Sequence, residues 1–531
     1  MGITSEISGV GPDACISGGD MVRFDAIILG YGPVGAMAAG LLAGRGWRVA
    51  VIDRMADVYP LPRAVRFDGE VMRMFQELGI ADEINAQCTP ILGAEFVDAN
   101  NKRLEGFDLP ADLTDASGWS ISSMFHQPLM ERTLRTRVEA SDGVTTYISH
   151  EAGTPVQTDE GVRVDLTPVE GGASFSLEAD YLIAADGASS PVRKVLGFEL
   201  VSLGYDCDWI VVDVLLKRDV PGLSAIAQQI CDPDRIVTYV PVVGMRRRWE
   251  FRLNPGEVKE AMTNDAMIWE MLKPWVGPDD AVIERAAGYQ FHAAIADQWR
   301  ARRIFLAGDA AHQTPPFLGE GMCTGLRDVV NLVWKLDMVK RGLADDHLLE
   351  TYQAERAPHA LDLIDFAVET GKLMDQIAEA HVTGDWPTSY AAAYGGDRGY
   401  PHLHGGVLAL QENDPSDGVT GFQGAQASVR LNGAELARLD DLAQANFHII
   451  STQDLSPQIK DSHKAFLDVI GAKLFVLEAE ARVTPELDVL LAQYDAIIVR
   501  PDRYVFGVVD GNNSLEEQLV KLESHFLSIS G

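Results

Sequence analysis

The stretch FDAIILGYGPVGAMAAGLLAGRGWRVAVIDR, Phe24 to Arg54, carries the reading of the fold. FDAIILG is an apolar run of strand length, and WRVAVIDR is a second. Small residues of helical character join them, so the segment is a complete βαβ unit. At the strand–helix turn, Gly30-Tyr31-Gly32-Pro33-Val34-Gly35 spells G-x-G-x-x-G. Glycines there let the backbone turn tightly and approach a pyrophosphate, which the N–H groups and dipole of the helix start attract. Asp53 ends the second strand, where a carboxylate can accept hydrogen bonds from an adenosine ribose, and Arg54 beside it is counted with the nucleotide site. The unit points to a dinucleotide without distinguishing NAD from FAD.

Two later segments bear on that choice. DYLIAADGASSPVRKVLG, Asp180 to Gly197, ends a buried strand in Asp186-Gly187. RRIFLAGDAAHQTPPFLGEGMCTGLRD puts Gly308-Asp309 at the carboxyl end of another, where α/β sheets place their ligands. A carboxylate at Asp309 suits the hydroxyls of a ribityl chain, which FAD has and NAD lacks. The loop that follows is longer than a strand–helix connection needs, stiff at Pro315-Pro316 and bare of side chains at Gly319 and Gly321. His312 is expected to order it by hydrogen bonding.

Around these segments the chain divides into three. The expected nucleotide domain is discontinuous, over 21–87, 120–199 and 292–395, including a helical tract to about His381. Residues 88–119 and 200–291 read as a second domain, built on alternating runs (WIVVDVLL, RIVTYVPV, RRRWEFRL) of an antiparallel sheet, with one helix between Val258 and Leu272. Thr145 to Leu182 also alternates like antiparallel strands. Arg246-Arg247-Arg248 reads as a blunted sheet edge. A Gly/Pro/Tyr-rich linker is expected over 396–425 and a compact α/β unit over 426–531. Residues 1–20 lack a basic start and an apolar core, so they read as a disordered leader and not as a signal peptide.

At 531 residues with a formal net charge of -34, the chain is too acidic for nucleic acid or an anionic membrane to be its partner. No run reaches the length of a membrane span. The five cysteines, Cys15, Cys88, Cys207, Cys231 and Cys323, are isolated. That suits a reducing compartment, with cytoplasm as the default, and offers no structural zinc site. No histidine cluster calls for a metal.

The three glycine- and aspartate-bearing segments, in this order and spacing, resemble the single-component FAD-dependent aromatic hydroxylases of the para-hydroxybenzoate hydroxylase superfamily. The strings YPLPRAVRFDGEVMRMFQELG and QQICDPDRIVTYVPVVGMRRRWEFRL are most similar to hydroxyphenylpropionate hydroxylases. The resemblance implies α/β architecture: a Rossmann-like FAD-binding domain, an inserted antiparallel-sheet substrate domain and a C-terminal thioredoxin-like domain. That last domain has no cysteine here, which excludes a redox role and leaves packing or homodimer formation. The implied chemistry uses NAD(P)H and O2, and passes oxygen through a flavin C4a-hydroperoxide to a phenolic ring, expected to be a hydroxyphenylpropionate-like acid. A tailoring hydroxylase of a larger polycyclic or heteroaromatic compound, and a flavin oxidase or reductase without oxygen insertion, are the alternatives.

By the same resemblance, Arg63 and Ala64 of PRAV and Gln127 of HQPL contact FAD, together with Pro316, Gly319, Gly321 and the helix start at Met322. Pro315 stiffens the wall beside the flavin ring. Cys323 stands where these proteins usually carry asparagine, and it is counted with the flavin contacts. A phenol reacts better as it ionises, so a proton relay is sought at Asp68, Tyr239 and Gln229, and a carboxylate receptor at Arg66 and Arg252.

Overall fold

The computed structural model describes residues 23–390, 401–410, 417–430, 436–477 and 485–527. The expected leader and parts of the expected linker, 396–400 and 411–416, lie outside the described residues. Strand β1 (Arg23–Leu29), helix α1 (Pro33–Gly44) and strand β2 (Val49–Asp53) form the βαβ unit, with α1 starting at the proline of the motif. Parallel pairing extends on both sides. Phe175–Ala184 lies beside β1, Ile304–Leu306 beyond that, and Val144–Ile148 beside β2. The carboxyl ends of β1, Phe175–Ala184 and Ile304–Leu306 therefore converge, and the three motifs leave the sheet at one edge.

The alternation over Thr145–Leu182 is only partly antiparallel. Val144–Ile148 joins β2 in parallel, and Phe175–Ala184 pairs with three strands of the same sheet. Along one side it meets β1; along the other its first half pairs antiparallel with Val162–Pro168 and its last residues pair parallel with Ile304–Leu306. A ten-residue strand outruns its shorter neighbours, so one edge can be shared between two partners.

The second sheet orders its strands 312–313, 281–296, 200–216, 246–252, 236–241, 227–231, 93–98 and 103–108. It is antiparallel apart from Ala227–Cys231 against Gly93–Asp98. Two departures from expectation concern local sequence. The helix expected between Val258 and Leu272 is two, Lys259–Met262 and Asp265–Leu272, because Asn264 caps the second by accepting from the Met267 N–H. Arg246–Arg252 is an interior strand and not an edge, flanked by Leu200–Leu216 and Ile236–Pro241. One face of the sheet buries Ile210, Tyr239, Trp249 and Phe251 against the short helices. The other turns toward the nucleotide domain.

Helices α2 (Gly69–Glu77), α3 (Gly321–Lys340) and α4 (His347–Thr383) bind the parts together. The C-terminal unit has a four-stranded sheet in the order 473–476, 448–451, 496–499, 505–509, with the first pair parallel and the rest antiparallel. It docks through buried charge. Arg500 of this unit bonds Glu355 of α4 at 2.6 Å, and Lys335 of α3 reaches the same carboxylate at 2.8 Å. Arg503 bonds Glu77 of α2 at 2.6 Å.

Candidate active site

A cavity of about 1210 Å³ opens where the carboxyl ends of the parallel strands face the second sheet. Gly32, Pro33, Val34, Arg63, Ala64 and Asp309 line one end, Ile91, Phe107, Gln229, Thr238 and Glu250 the other, and α4 contributes Asp362, Leu363 and Phe366.

At the first end the backbone does most of the shaping. Gly30 has φ +98°, and a Cβ there would stand 2.2 Å from the Ala185 carbonyl oxygen. A Cβ on Gly35 would stand 1.9 Å from the Gly30 carbonyl oxygen. Both glycines let main chain pack on main chain. Gly32 differs: nothing lies within 4 Å of its Cβ position, and it lines the cavity, as do Gly187 and Gly321, which are equally bare. These three present open backbone to whatever the cavity holds. Asp186 accepts from the Val192 N–H with one carboxylate oxygen, while the other is buried with no hydrogen-bond partner. Burial raises the Asp186 carboxyl, with Ser190 and the Val192 amide pulling it down. Asp309 faces the cavity; desolvation by the surrounding walls pushes its carboxyl up, with His312 and Arg63 working against that shift. An open amide cradle at a helix start, an orphaned carboxylate oxygen and a second carboxylate at a strand end fit FAD.

Three expected contacts are placed differently. Asp53 lies outside the cavity lining and accepts from the Tyr31 N–H at 2.7 Å and the Met55 N–H at 2.8 Å, which closes the turn. Arg54 is exposed and does not line the cavity. Gln127 does line it, yet its amide oxygen accepts from the Arg63 and Ala64 N–H groups and its nitrogen donates to Glu131. It straps the PRAV segment to its helix.

The long loop is held from behind. Asp328 of α3 accepts from the Gly308 N–H at 3.0 Å, bonds His312 at 2.7 Å and accepts from Arg356. Burial opposes charge on Asp328, but these partners outweigh it and lower its pKa. Pro316 lines the cavity and Pro315 does not; it precedes a one-turn 3-10 helix that Gly319 ends at φ +66°. Gly321 and Met322 open α3 onto the cavity. Cys323 is a correction. Its side chain is buried in the core and does not line the cavity.

The far end departs most from expectation. Asp68 caps α2 and is paired with Arg327, which also bonds Glu70 at 2.5 Å and Glu320 at 3.0 Å. It lies beneath the cavity wall; burial raises its carboxyl while Arg327 opposes the rise. Burial pushes Glu320 upward too, but Arg66 and Arg327 hold it down at about 2. Asp68, Glu320 and Cys323 bring potential metal-ligand atoms within 4.8 Å of one another, but two guanidinium groups already neutralise that cluster. Arg66 lines the cavity while bonding Ser122, Leu318 and Glu320. Tyr239 faces the opposite side of the sheet, because its neighbours Thr238 and Val240 face the cavity and strand side chains alternate. Its hydroxyl donates to the Ser224 carbonyl. Arg252 lines a separate cleft and pairs with Asp375. Of the three residues of the expected relay, Gln229 lines the cavity and Asp68 and Tyr239 do not.

Sequence reading missed Arg248, Arg285 and Glu250, all buried in the lining. Arg248 bonds Asp213 at 2.7 Å and the Pro62 and Arg63 carbonyls; Arg285 shares Asp213 and bonds Pro62 and Tyr289. A signal existed in RRRWEFR, where Arg248, Glu250 and Arg252 alternate with Trp249 and Phe251. A polar face opposite an aromatic face means either solvent or a site.

Comparison with known proteins agrees with this geometry. Residues 23–367 match the FAD binding domain family model, and the chain belongs to that family. A probable NADH-specific resorcinol 4-hydroxylase of Rhodococcus jostii is 34% identical over 500 residues, covering 91% of this chain and 92% of the relative. A 3-(3-hydroxy-phenyl)propionate/3-hydroxycinnamic acid hydroxylase of Burkholderia cenocepacia is 32% identical, covering 92% and 94%. The flavin-dependent monooxygenase PieE, solved with FAD and substrate, superposes with a TM-score of 0.79 at 21% identity, over 95% of this chain and 99% of that one. The protein is an FAD-dependent aromatic-ring monooxygenase that draws electrons from NAD(P)H. Among the described residues, no helix is long and apolar enough to cross a membrane.

Proposed function

We propose that the protein hydroxylates a single-ring phenol of the kind its relatives' names describe, resorcinol or a hydroxyphenylpropionate, in aromatic catabolism. The observation that carries the reading is one cavity running from the open amides at Gly32 and Gly321 to a sheet face bearing Gln229, Thr238 and Glu250. FAD supplies the redox and oxygen chemistry when bound. The chain's part is to hold it along Gly32, Gly187 and Asp309, to exclude water, and to present the ring from the sheet. Between a phenolic acid and a neutral diphenol, the arginines favour the neutral one. Arg66, Arg248 and Arg285 already have carboxylate partners, and Arg252 is elsewhere. The strand order of the C-terminal unit supports reading it as thioredoxin-like, and without cysteines it serves, in this reading, for docking and homodimer formation. A cytoplasmic location belongs to the same reading.

The test mixes the FAD-loaded protein anaerobically with NADH or NADPH, with and without resorcinol or 3-(3-hydroxyphenyl)propionate, and follows flavin bleaching before admitting oxygen. Faster bleaching with a phenol and a hydroxylated product are expected. Peroxide release without product would sink the reading.

A further inference from the structure

Glu250 sits in an unusual position for a carboxylate. It lies on an interior strand, is only 6% exposed, and lines the ring end of the cavity. Among the described residues no group donates a hydrogen bond to it. The nearest cation, Arg248, stands 3.7 Å away and spends its bonds on Asp213 and on the Pro62 and Arg63 carbonyls. Buried carboxylates are ordinarily paired or hydrogen-bonded, so one left open toward a cavity implies a partner from the cavity.

Its neighbours agree. The registers align Gln229 with Thr238 and Thr238 with Glu250, a row of three polar side chains across adjacent strands. The Thr238 hydroxyl donates to the Gln229 amide oxygen at 2.5 Å, so the Gln229 N–H groups and the lone pairs of Thr238 remain for a ligand. Val211 on one side and Val240 and Phe107 on the other keep the surroundings apolar. The row offers a donor at one end and an acceptor at the other, which suits a ring with hydroxyl groups.

We propose that Glu250 is the base that takes the proton from the substrate's ring hydroxyl, with Gln229 and Thr238 holding the ring in register. In this step the phenol O–H bond breaks and its proton forms the O–H of the Glu250 carboxylic acid. The electron pair stays on the phenolate oxygen and enriches the ring carbons ortho and para to it. When the oxygenated carbon later loses its hydrogen to solvent as a proton, the ring regains aromaticity as a phenolate, and Glu250 returns its own proton to that oxygen. The proposal rests on the phenol hydroxylase reading above.

The electrostatics are consistent with the role. Burial raises the Glu250 carboxyl to about 7, against the pull of Arg248 and Arg285 and with a push from Asp213. These are the charged groups around it on its own strand, on Leu200–Leu216 and on Ala281–Ala296; from Ile236–Pro241 it meets only the Thr238 hydroxyl. The opposite wall carries Arg66 and Glu320, already joined. A base with a pKa near the working pH transfers protons most effectively.

The test uses FAD-loaded wild type, Glu250→Gln and Glu250→Asp, with whichever of resorcinol and 3-(3-hydroxyphenyl)propionate the wild type turns over. Wild-type kcat/KM for hydroxylation should rise with pH through a limb near 7. Glu250→Gln should lose that limb and about 100-fold in rate at pH 7, the low end of the range for general-base catalysis. It should recover as pH rises far enough for the phenol to ionise unaided. Glu250→Asp should keep a limb, shifted. FAD content and substrate binding, read from the flavin spectrum, should change less than about threefold, the tolerance set for an intact ground-state complex. A Glu250→Gln enzyme with an unchanged limb and near-wild-type rate overturns the assignment. A wild type that hydroxylates neither ring overturns the function reading as well, and is distinguished by failing before any substitution is made.

Discussion

The two ends of the cavity are built by different means. At the cofactor end the main chain does the recognising: Gly30 and Gly35 permit contact between backbones, and Gly32, Gly187 and Gly321 bare it toward the cavity. At the ring end side chains do it, and each is fixed by strand alternation and register across a sheet. Main-chain recognition needs particular residues at fixed spacing, whereas side-chain recognition needs only a polar group at the right parity. The first leaves a motif in the sequence and the second does not.

That contrast can be broken at its strongest point within a single motif. Gly30→Ala should cost about 3 kcal/mol or more, because it forces a side chain at positive φ into a carbonyl oxygen; thermal unfolding of the FAD-free protein would read it. Arg500→Met should be of similar size, about 3–5 kcal/mol, since it takes one of two buried cations from Glu355 and the guanidinium from buried Asp502. This second loss should also depend on pH. Burial pushes the Glu355 carboxyl up, but Arg500 and Lys335 hold it far below its ordinary 4.5. A depressed carboxyl stabilises the fold above that value and loses its contribution as pH falls below it. Denaturant titrations of wild type should therefore weaken below about pH 4.5, and the variant should show less of that decline.

Gly32→Ala is the sharper counterpart. Nothing in the protein obstructs its Cβ, so the melting temperature of the FAD-free protein should barely move. FAD affinity should fall about tenfold, as expected for about 1.4 kcal/mol lost from a crowded contact; a fluorescence titration with FAD would measure it. Equal effects on folding and on FAD binding would erase the distinction between the two glycines. The smallest effect belongs to the ring end. Tyr239→Phe should leave kcat/KM within about threefold, because the hydroxyl points away from the cavity and ordinary surface or back-face changes are small. A large loss there would put the sheet's cavity face on the wrong side.

The legible parts follow the same division. G-x-G-x-x-G, Asp186-Gly187 and Gly308-Asp309 each end a buried strand in a turn, and turn chemistry is local enough to read one residue at a time. The role of Cys323 was not legible, because the face of α3 that it occupies is decided by how that helix lies on the core. Asp68 and Tyr239 have the chemistry of a relay but lie out of reach, one capping a helix and one on the back of the sheet. Arg248 was misread as an edge residue, since the neighbours of a strand come from distant segments: Leu200–Leu216 on one side and Ile236–Pro241 on the other.

The sequence by itself determined the βαβ unit, the ligand-bearing strand ends and, by the spacing of three motifs, a flavin site, because these depend on backbone geometry that only certain residues permit. Tertiary structure alone decided which of three acids are neutralised and which is left open to the cavity. Asp68, Glu320 and Glu250 are equivalent acids in the chain. Folding brings Arg327 to the first, Arg66 and Arg327 to the second, and the cavity to the third. The charge state of a buried acid is set by its neighbours in space, and those neighbours are assembled from segments far apart in sequence.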